Sequence, residues 1–147
     1  MVDIEKLARQ VQRLQDLEDI KSLKHRYFRT MTYGDHAALK DTLTEDVVTS
    51  YSDGKYVFDD REQLLRFLID SHDPNAKIIA WWMAGMPEIS FQSDTEATGI
   101  WAMEDFVDWG EGRAFRGYGH YHETYVKHAD TWQIAGMKLT RLRRDWL

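Results

Sequence analysis

Residues 95–109 read TEATGIWAMEDFVDW. On a strand, successive side chains point to opposite faces. Ala97, Gly99, Trp101, Met103, Asp105 and Val107 then share one face, and Glu96, Thr98, Glu104 and Asp108 share the other. One apolar row and one polar row over this length predict a long antiparallel strand with one face on a core. Asp105 breaks the pattern. A carboxylate on the apolar face is costly unless it is paired, hydrogen-bonded or protonated.

Working outward, three further runs have the same character: 77–91, 113–128 and 131–144. The turn signals QSD, WGEG and HAD separate the four. The first third of the chain reads differently. Ile4, Leu7, Val11 and Leu14 recur at heptad spacing, and the stripe continues through Leu17, Ile20, Leu23, Tyr27 and Met31. This spacing predicts one long helix or two abutting ones. The heptad part is too short for a free coiled coil, so it is expected to pack on its own domain or on a second subunit. Gly34 ends the run, and Asp35 can cap a second helix over 36–43. Strands over 47–51 and 55–58 flank the turn signal SDG. DDREQLLRFLIDSH, 59–72, predicts a third helix with Asp59 or Asp60 as cap and Leu64, Leu65 and Leu68 buried. Helices followed by a meander of long strands make an α+β pattern, a curved sheet wrapping the helices with a pocket between them.

Composition bounds the function. The 147 residues favour one domain, expected to span 1–147, with 43% hydrophobic residues to fill a core. A net charge of −6 argues against nucleic acid as a partner. The basic cluster RLRRDW, 141–146, reads as a solvated end. There is no cysteine, which excludes disulfides, thiol catalysis and thiolate metal sites. The N-terminal sequence lacks a signal-peptide pattern, and no run approaches a membrane span, so a soluble cytoplasmic protein is expected. No glycine-rich phosphate loop, G-x-S-x-G elbow or H-E-x-x-H motif is present.

The faces of the other strands supply partners for Asp105. In 132–144, Arg141 shares a face with Ala135, Met137 and Leu139, so it can pair with Asp105. That pair is either a site or a structural ion pair. In 115–128, Phe115, Tyr121, Glu123 and Tyr125 form one face, and Tyr118, His120, His122 and Thr124 the other. His120 and His122 have a spacing that can chelate a metal, but no third ligand is evident, so they are read as surface or interface histidines and no metal is assigned. Tyr27 lies on the helix stripe, where its hydroxyl needs a partner. In IAWWMAGMP, 79–87, adjacent tryptophans must face opposite ways.

The segments KHRYFRTM, VVTSYSDGKYVF, MPEI, ATGIWAMED and WQIAGMKLTR, in this order and spacing, resemble the SnoaL-like branch of the nuclear-transport-factor-2-like superfamily. Within it the chain resembles the bile acid 7α-dehydratases and, more weakly, the scytalone dehydratases. The resemblance covers nearly everything after about residue 15, leaving 1–16 as an N-terminal helical extension. It implies a cone-shaped α+β barrel around a deep apolar pocket, a hydrophobic small-molecule ligand, no cofactor, and a homodimer or homotrimer. It implies site tyrosines at Tyr27 and Tyr51, the dehydratase aspartate at Asp105 and its arginine at Arg141. Tyr121 falls at an inward position that is asparagine in scytalone dehydratases. Trp101 and Met103, on the Asp105 face, are expected to line the pocket.

Two family positions are altered. The aspartate and histidine that often carry proton transfer fall at Thr32 and Trp82. Trp82 is expected to face the pocket and Trp81 the other side of the sheet. An indole nitrogen cannot accept a proton, so Trp82 is no base. Asp35, one turn past Thr32, is a conceivable substitute. The first functional expectation is a cofactor-free lyase or isomerase acting beside a carbonyl of a hydrophobic ring compound, with catalysis by Tyr27, Asp105 and Arg141. The second is a non-catalytic binder of the same ligands. The third is an interaction module recruiting a partner through the heptads.

Overall fold

The structure is a computed structural model, and it describes residues 1–71 and 78–147. Helix α1 spans Ile4–Tyr33, α2 spans His36–Lys40 and α3 spans Arg61–Ser71. The strands are β1 (Leu43–Tyr51), β2 (Tyr56–Phe58), β3 (Ile79–Phe91), β4 (Glu96–Asp108), β5 (Ala114–His128) and β6 (Thr131–Trp146). The expected helix end at His72, the boundary at Pro74 and the strand start at Lys77 lie outside the described residues.

α1 is one continuous helix. Asp3 opens it by accepting a bond from the Lys6 amide at 3.0 Å. Gly34, at φ 66, closes it in the left-handed conformation that places its N–H on Met31 O. Only its second half is packed. Ile20, Leu23, Tyr27, Phe28 and Met31 are buried, whereas Ile4, Leu7, Val11 and Leu14 are 49–76% exposed. Of the two expected packings, on the chain's own domain or on a second subunit, the first is corrected: these four apolar side chains stay exposed in the single chain. α2 ends three residues before the expected Leu43. The chain leaves the helix there because Ile134 N–H takes Thr42 O at 2.9 Å, which starts β1 at Leu43 against β6.

The sheet runs in the order β2-β1-β6-β5-β4-β3. β1 and β6 are parallel; the other neighbours are antiparallel. The sheet is open, with β2 and β3 at its edges, and α1 and α3 pack against its inner face to form a cone.

The alternation of β4 survives intact: Ala97, Gly99, Trp101, Met103, Asp105 and Val107 all face inward. β6 does not keep one phase. Its inward residues are Trp132 and Ile134, then Met137 and Leu139. The register slips opposite Thr124 and Tyr125, leaving Ala135 out of the buried row, so its expected place beside Met137 is corrected. A second slip leaves Leu142 unpaired between Arg141, which faces Gly119, and Arg143, which faces Tyr118. Each is a β-bulge, and each changes which parity points inward. The second places Arg141 and Arg144 on the same face, although three residues apart on a regular strand would put them on opposite faces.

Candidate functional site

A cavity of about 340 Å³ opens between α1, α3 and the inner face of the sheet. Of the expected site residues, Tyr27, Tyr51, Trp82, Asp105, Tyr121 and Arg141 line it together. Trp101 and Met103 do not. Trp101 lines a neighbouring cleft, and Met103 is buried in the core.

Asp105 is 2% exposed and is clamped by Arg141: Nη1 donates to Oδ1 and Nη2 to Oδ2, both at 2.6 Å. This fork-on-carboxylate geometry is the strongest common form of ion pair. Burial alone would lower the Arg141 pKa, but the two bonds to Asp105 outweigh it and hold the guanidinium above its ordinary range. Its Nε is buried with no partner among the described residues, leaving one donor unspent. The clamp needs Gly117, which lies across the ladder from Asp105 on one side and from Arg144 on the other. A Cβ there would meet Arg141 Nη1 at 2.1 Å and Asp105 Oδ1 at 2.3 Å. Only glycine leaves the two charges room to meet.

The tyrosines supply neutral donors. Tyr27 Oη lies 3.3 Å from Tyr51 Oη, and Tyr51 donates weakly to Met137 Sδ at 3.7 Å. Burial pushes Tyr27 and Tyr121 well above the ordinary phenol range, and it pushes Tyr51 up to about 12. All three remain protonated at neutral pH, able to give a hydrogen bond to a developing oxyanion.

Trp82 is 8% exposed and lies across the β3–β4 ladder from Asp105, while Trp81 is 57% exposed. The adjacent indoles point opposite ways, as alternation requires. Thr32 is exposed beside the neighbouring cleft. Asp35 is spent as the cap of α2, accepting the Ala38 amide at 3.1 Å. His120 and His122 lie on the outer face, with His122 Nε2 3.4 Å from Thr140 Oγ1. The described residues hold no cluster of three or more His, Cys, Asp or Glu able to bind a metal.

Sequence reasoning missed three contributors. Lys24, 1% exposed, forms a buried ion pair with Glu123. Glu123 also accepts from Tyr125 Oη at 2.5 Å, and Tyr125 accepts from Trp101 Nε1 at 2.7 Å. Burial lowers the Lys24 pKa against the pull of Glu123. A lysine inside an otherwise apolar helix stripe was the available signal. Arg144, read as part of a solvated end, lines the mouth of the cavity and lies over Phe115 at 4.7 Å and Trp146 at 5.8 Å. No periodicity of 2 could have turned it inward without the Leu142 bulge. Gly117 is visible as a glycine in a strand, a mark of close approach.

A helix-filled cone with a buried ion pair and tyrosines lining an aromatic cavity defines an α+β domain with an internal cavity. The chain belongs to the SnoaL-like domain family, whose model matches residues 12–138. Its fold is similar to that of a hexachlorocyclohexane dehydrochlorinase, LinA type 2, at a TM-score of 0.83 and 14% identity over 94% of this chain and 93% of that one. It is similar also to a candidate scytalone dehydratase from Novosphingobium aromaticivorans, at 0.82 and 18% over 92% and 90%. LinA type 3 from Novosphingobium barchaimii matches at 0.81 and 14% over 94% of both chains. At these identities the likeness establishes the fold. No described helix is long and apolar enough to cross a membrane.

Proposed function

We propose that this chain is a cofactor-free proton-transfer enzyme, a dehydratase or isomerase acting beside a carbonyl of a hydrophobic ring compound. The observation that carries the reading is the buried Asp105–Arg141 pair sharing one cavity with three neutral tyrosines. Asp105 takes the proton from the carbon next to the carbonyl, and the electron pair of that C–H bond moves into an enolate. A hydroxyl among Tyr27, Tyr51 and Tyr121 hydrogen-bonds the enolate oxygen. Preorganised donors in a dry site contribute on the order of 3 kcal/mol each. In a dehydratase the β-hydroxyl then leaves, taking the proton from Asp105 and departing as water. In an isomerase the proton returns at another carbon. Arg141 orients the carboxylate, and Trp82 shapes the space beside it. The resemblance of the sequence segments to those of bile acid dehydratases makes steroid-sized ring systems the first substrates to try. A dimer or trimer, with the exposed heptad stripe of α1 as one contact, belongs to the same proposal.

A second reading is a non-catalytic binder. It is favoured by one observation: Arg141 occupies both oxygens of Asp105, the atoms a base must use.

Incubation with hydroxylated steroid and polycyclic ketones in deuterated water decides between them by mass spectrometry. Loss of one water, or deuterium gained beside the carbonyl, with wild type and not with Asp105→Asn supports the enzyme. Binding without either change supports the binder. Unchanged turnover and affinity in both Asp105→Asn and Tyr27→Phe would remove the site from consideration.

A further inference from the structure

A second cleft, of about 370 Å³, lies between α1 and β3. It is separated from the main cavity by Trp82, which lines both. Its walls are aromatic: Phe28 and Tyr33 from α1, Trp81 and Trp82 from β3, and Trp101 from β4. Its charges are of one sign. Lys21, Lys24, His25 and Arg29 line it, and no aspartate or glutamate does. Two of these cations are already matched, Lys21 by Glu18 at 2.6 Å and Lys24 by Glu123. His25 and Arg29, four residues apart and so one above the other on the helix, have no ion pair among the described residues.

Thr32, one turn beyond Arg29, also lines the cleft and brings no charge to it. A flat ring system can lie against this aromatic wall, and an anionic substituent on it can meet the Arg29 guanidinium, which itself stacks on aromatic faces. We infer that the α1–β3 cleft is a second binding site, distinct from the main cavity, for a planar aromatic anion such as an aryl sulfonate or aryl carboxylate.

The test uses 8-anilinonaphthalene-1-sulfonate and its uncharged analogue N-phenyl-1-naphthylamine as probes. Fluorescence titration gives affinities, and methyl spectra of the methionine-labelled chain give the location. Met83 reports the cleft and Met31 the main cavity. The sulfonate is expected to shift the Met83 methyl and leave Met31 in place. His25→Glu with Arg29→Glu, both exposed, is expected to weaken the sulfonate by at least about tenfold, or about 1.4 kcal/mol, and the neutral analogue by less than about twofold. A sulfonate that shifts Met31 instead, binds the double variant unchanged, or loses affinity only with Arg144→Glu overturns the inference. So does a second copy of the chain that fills the cleft, seen as self-association with no Met83 response.

Discussion

Trp82 stands directly across the β3–β4 ladder from Asp105, so an indole flanks the carboxylate on the inner face of the sheet. The same ring is the wall between two cavities. Replacing it with alanine removes a large buried side chain and leaves a void, a loss of about 3 kcal/mol or more. Trp82→Ala is therefore expected to lower the urea midpoint markedly and to admit ligands too bulky for the wild-type cavity. Denaturant titration and an affinity series with ring systems of increasing size check both. Unchanged size selectivity would show that Trp82 bounds neither cavity.

Asp105 and Arg141 are expected to be coupled far beyond an exposed pair. Arg141→Met leaves a carboxylate buried without its counter-ion, which costs about 3–5 kcal/mol. Adding Asp105→Leu removes the stranded charge and is expected to recover most of that loss while leaving the protein inactive. A double-mutant cycle by chemical denaturation gives the coupling energy. Additive losses would mean the two charges ignore each other.

Gly117→Ala is the most economical test of the clamp. The added methyl would fall 2.1 Å from Arg141 Nη1 and 2.3 Å from Asp105 Oδ1, so the pair must separate. The expected result is a loss of about 2 kcal/mol from overpacking, with turnover or ligand affinity reduced as in Asp105→Asn. A fully active Gly117→Ala would show that the carboxylate works without its fork.

Stability is expected to fall as pH rises above 10. The folded pKa of Tyr27, Tyr51 and Tyr121 is raised by burial, to about 12 for Tyr51, whereas an unfolded tyrosine ionises near 10. The folded chain thus keeps protons that the unfolded chain releases. The contribution is complete below pH 10 and is lost as pH rises through the folded values. Each tyrosine contributes about 1.4 kcal/mol per pH unit within its window. Urea midpoints at pH 8, 10 and 11 measure the slope, and Tyr27→Phe is expected to make it shallower.

The exposed half of α1 gives a separate prediction. Val11 and Leu14 are 58% and 64% exposed, so Val11→Glu with Leu14→Glu is expected to change the stability of the single chain by only about 0.5 kcal/mol. In the proposed oligomer the same pair introduces charge into an apolar contact. Light scattering is expected to show dissociation with pocket binding retained.

Most of the fold was legible because it rests on periodicity. Alternation over 95–108 placed Asp105 on the buried face, and alternation over 115–128 separated Tyr121, Glu123 and Tyr125 from the histidines. What periodicity could not show is where it breaks. The Ala135 and Leu142 slips depend on a neighbouring strand, so Arg144 was read as solvated. Lys24 was missed for another reason: its place in the apolar stripe is visible, but its counter-ion is 99 residues away on β5, and no local pattern shows what will pair with it. The exposed heptads mark the limit from the other side, since an apolar stripe states that a surface seeks cover without saying which surface provides it.

The unpaired Leu142 has a consequence of its own. It acts as a punctuation mark in β6, after which the strand is read in a new frame. Arg144 owes its inward direction to it, and each of the two site arginines faces a glycine, Arg141 opposite Gly119 and Arg144 opposite Gly117. Were Leu142 paired in the ladder instead of bulged, Arg144 would turn to the outer surface, whereas deleting Leu142 would leave Arg144 two positions after Arg141 on a regular strand and still facing inward. The charge presented to an entering ligand is thus governed by the register of β6 against β5 as much as by composition.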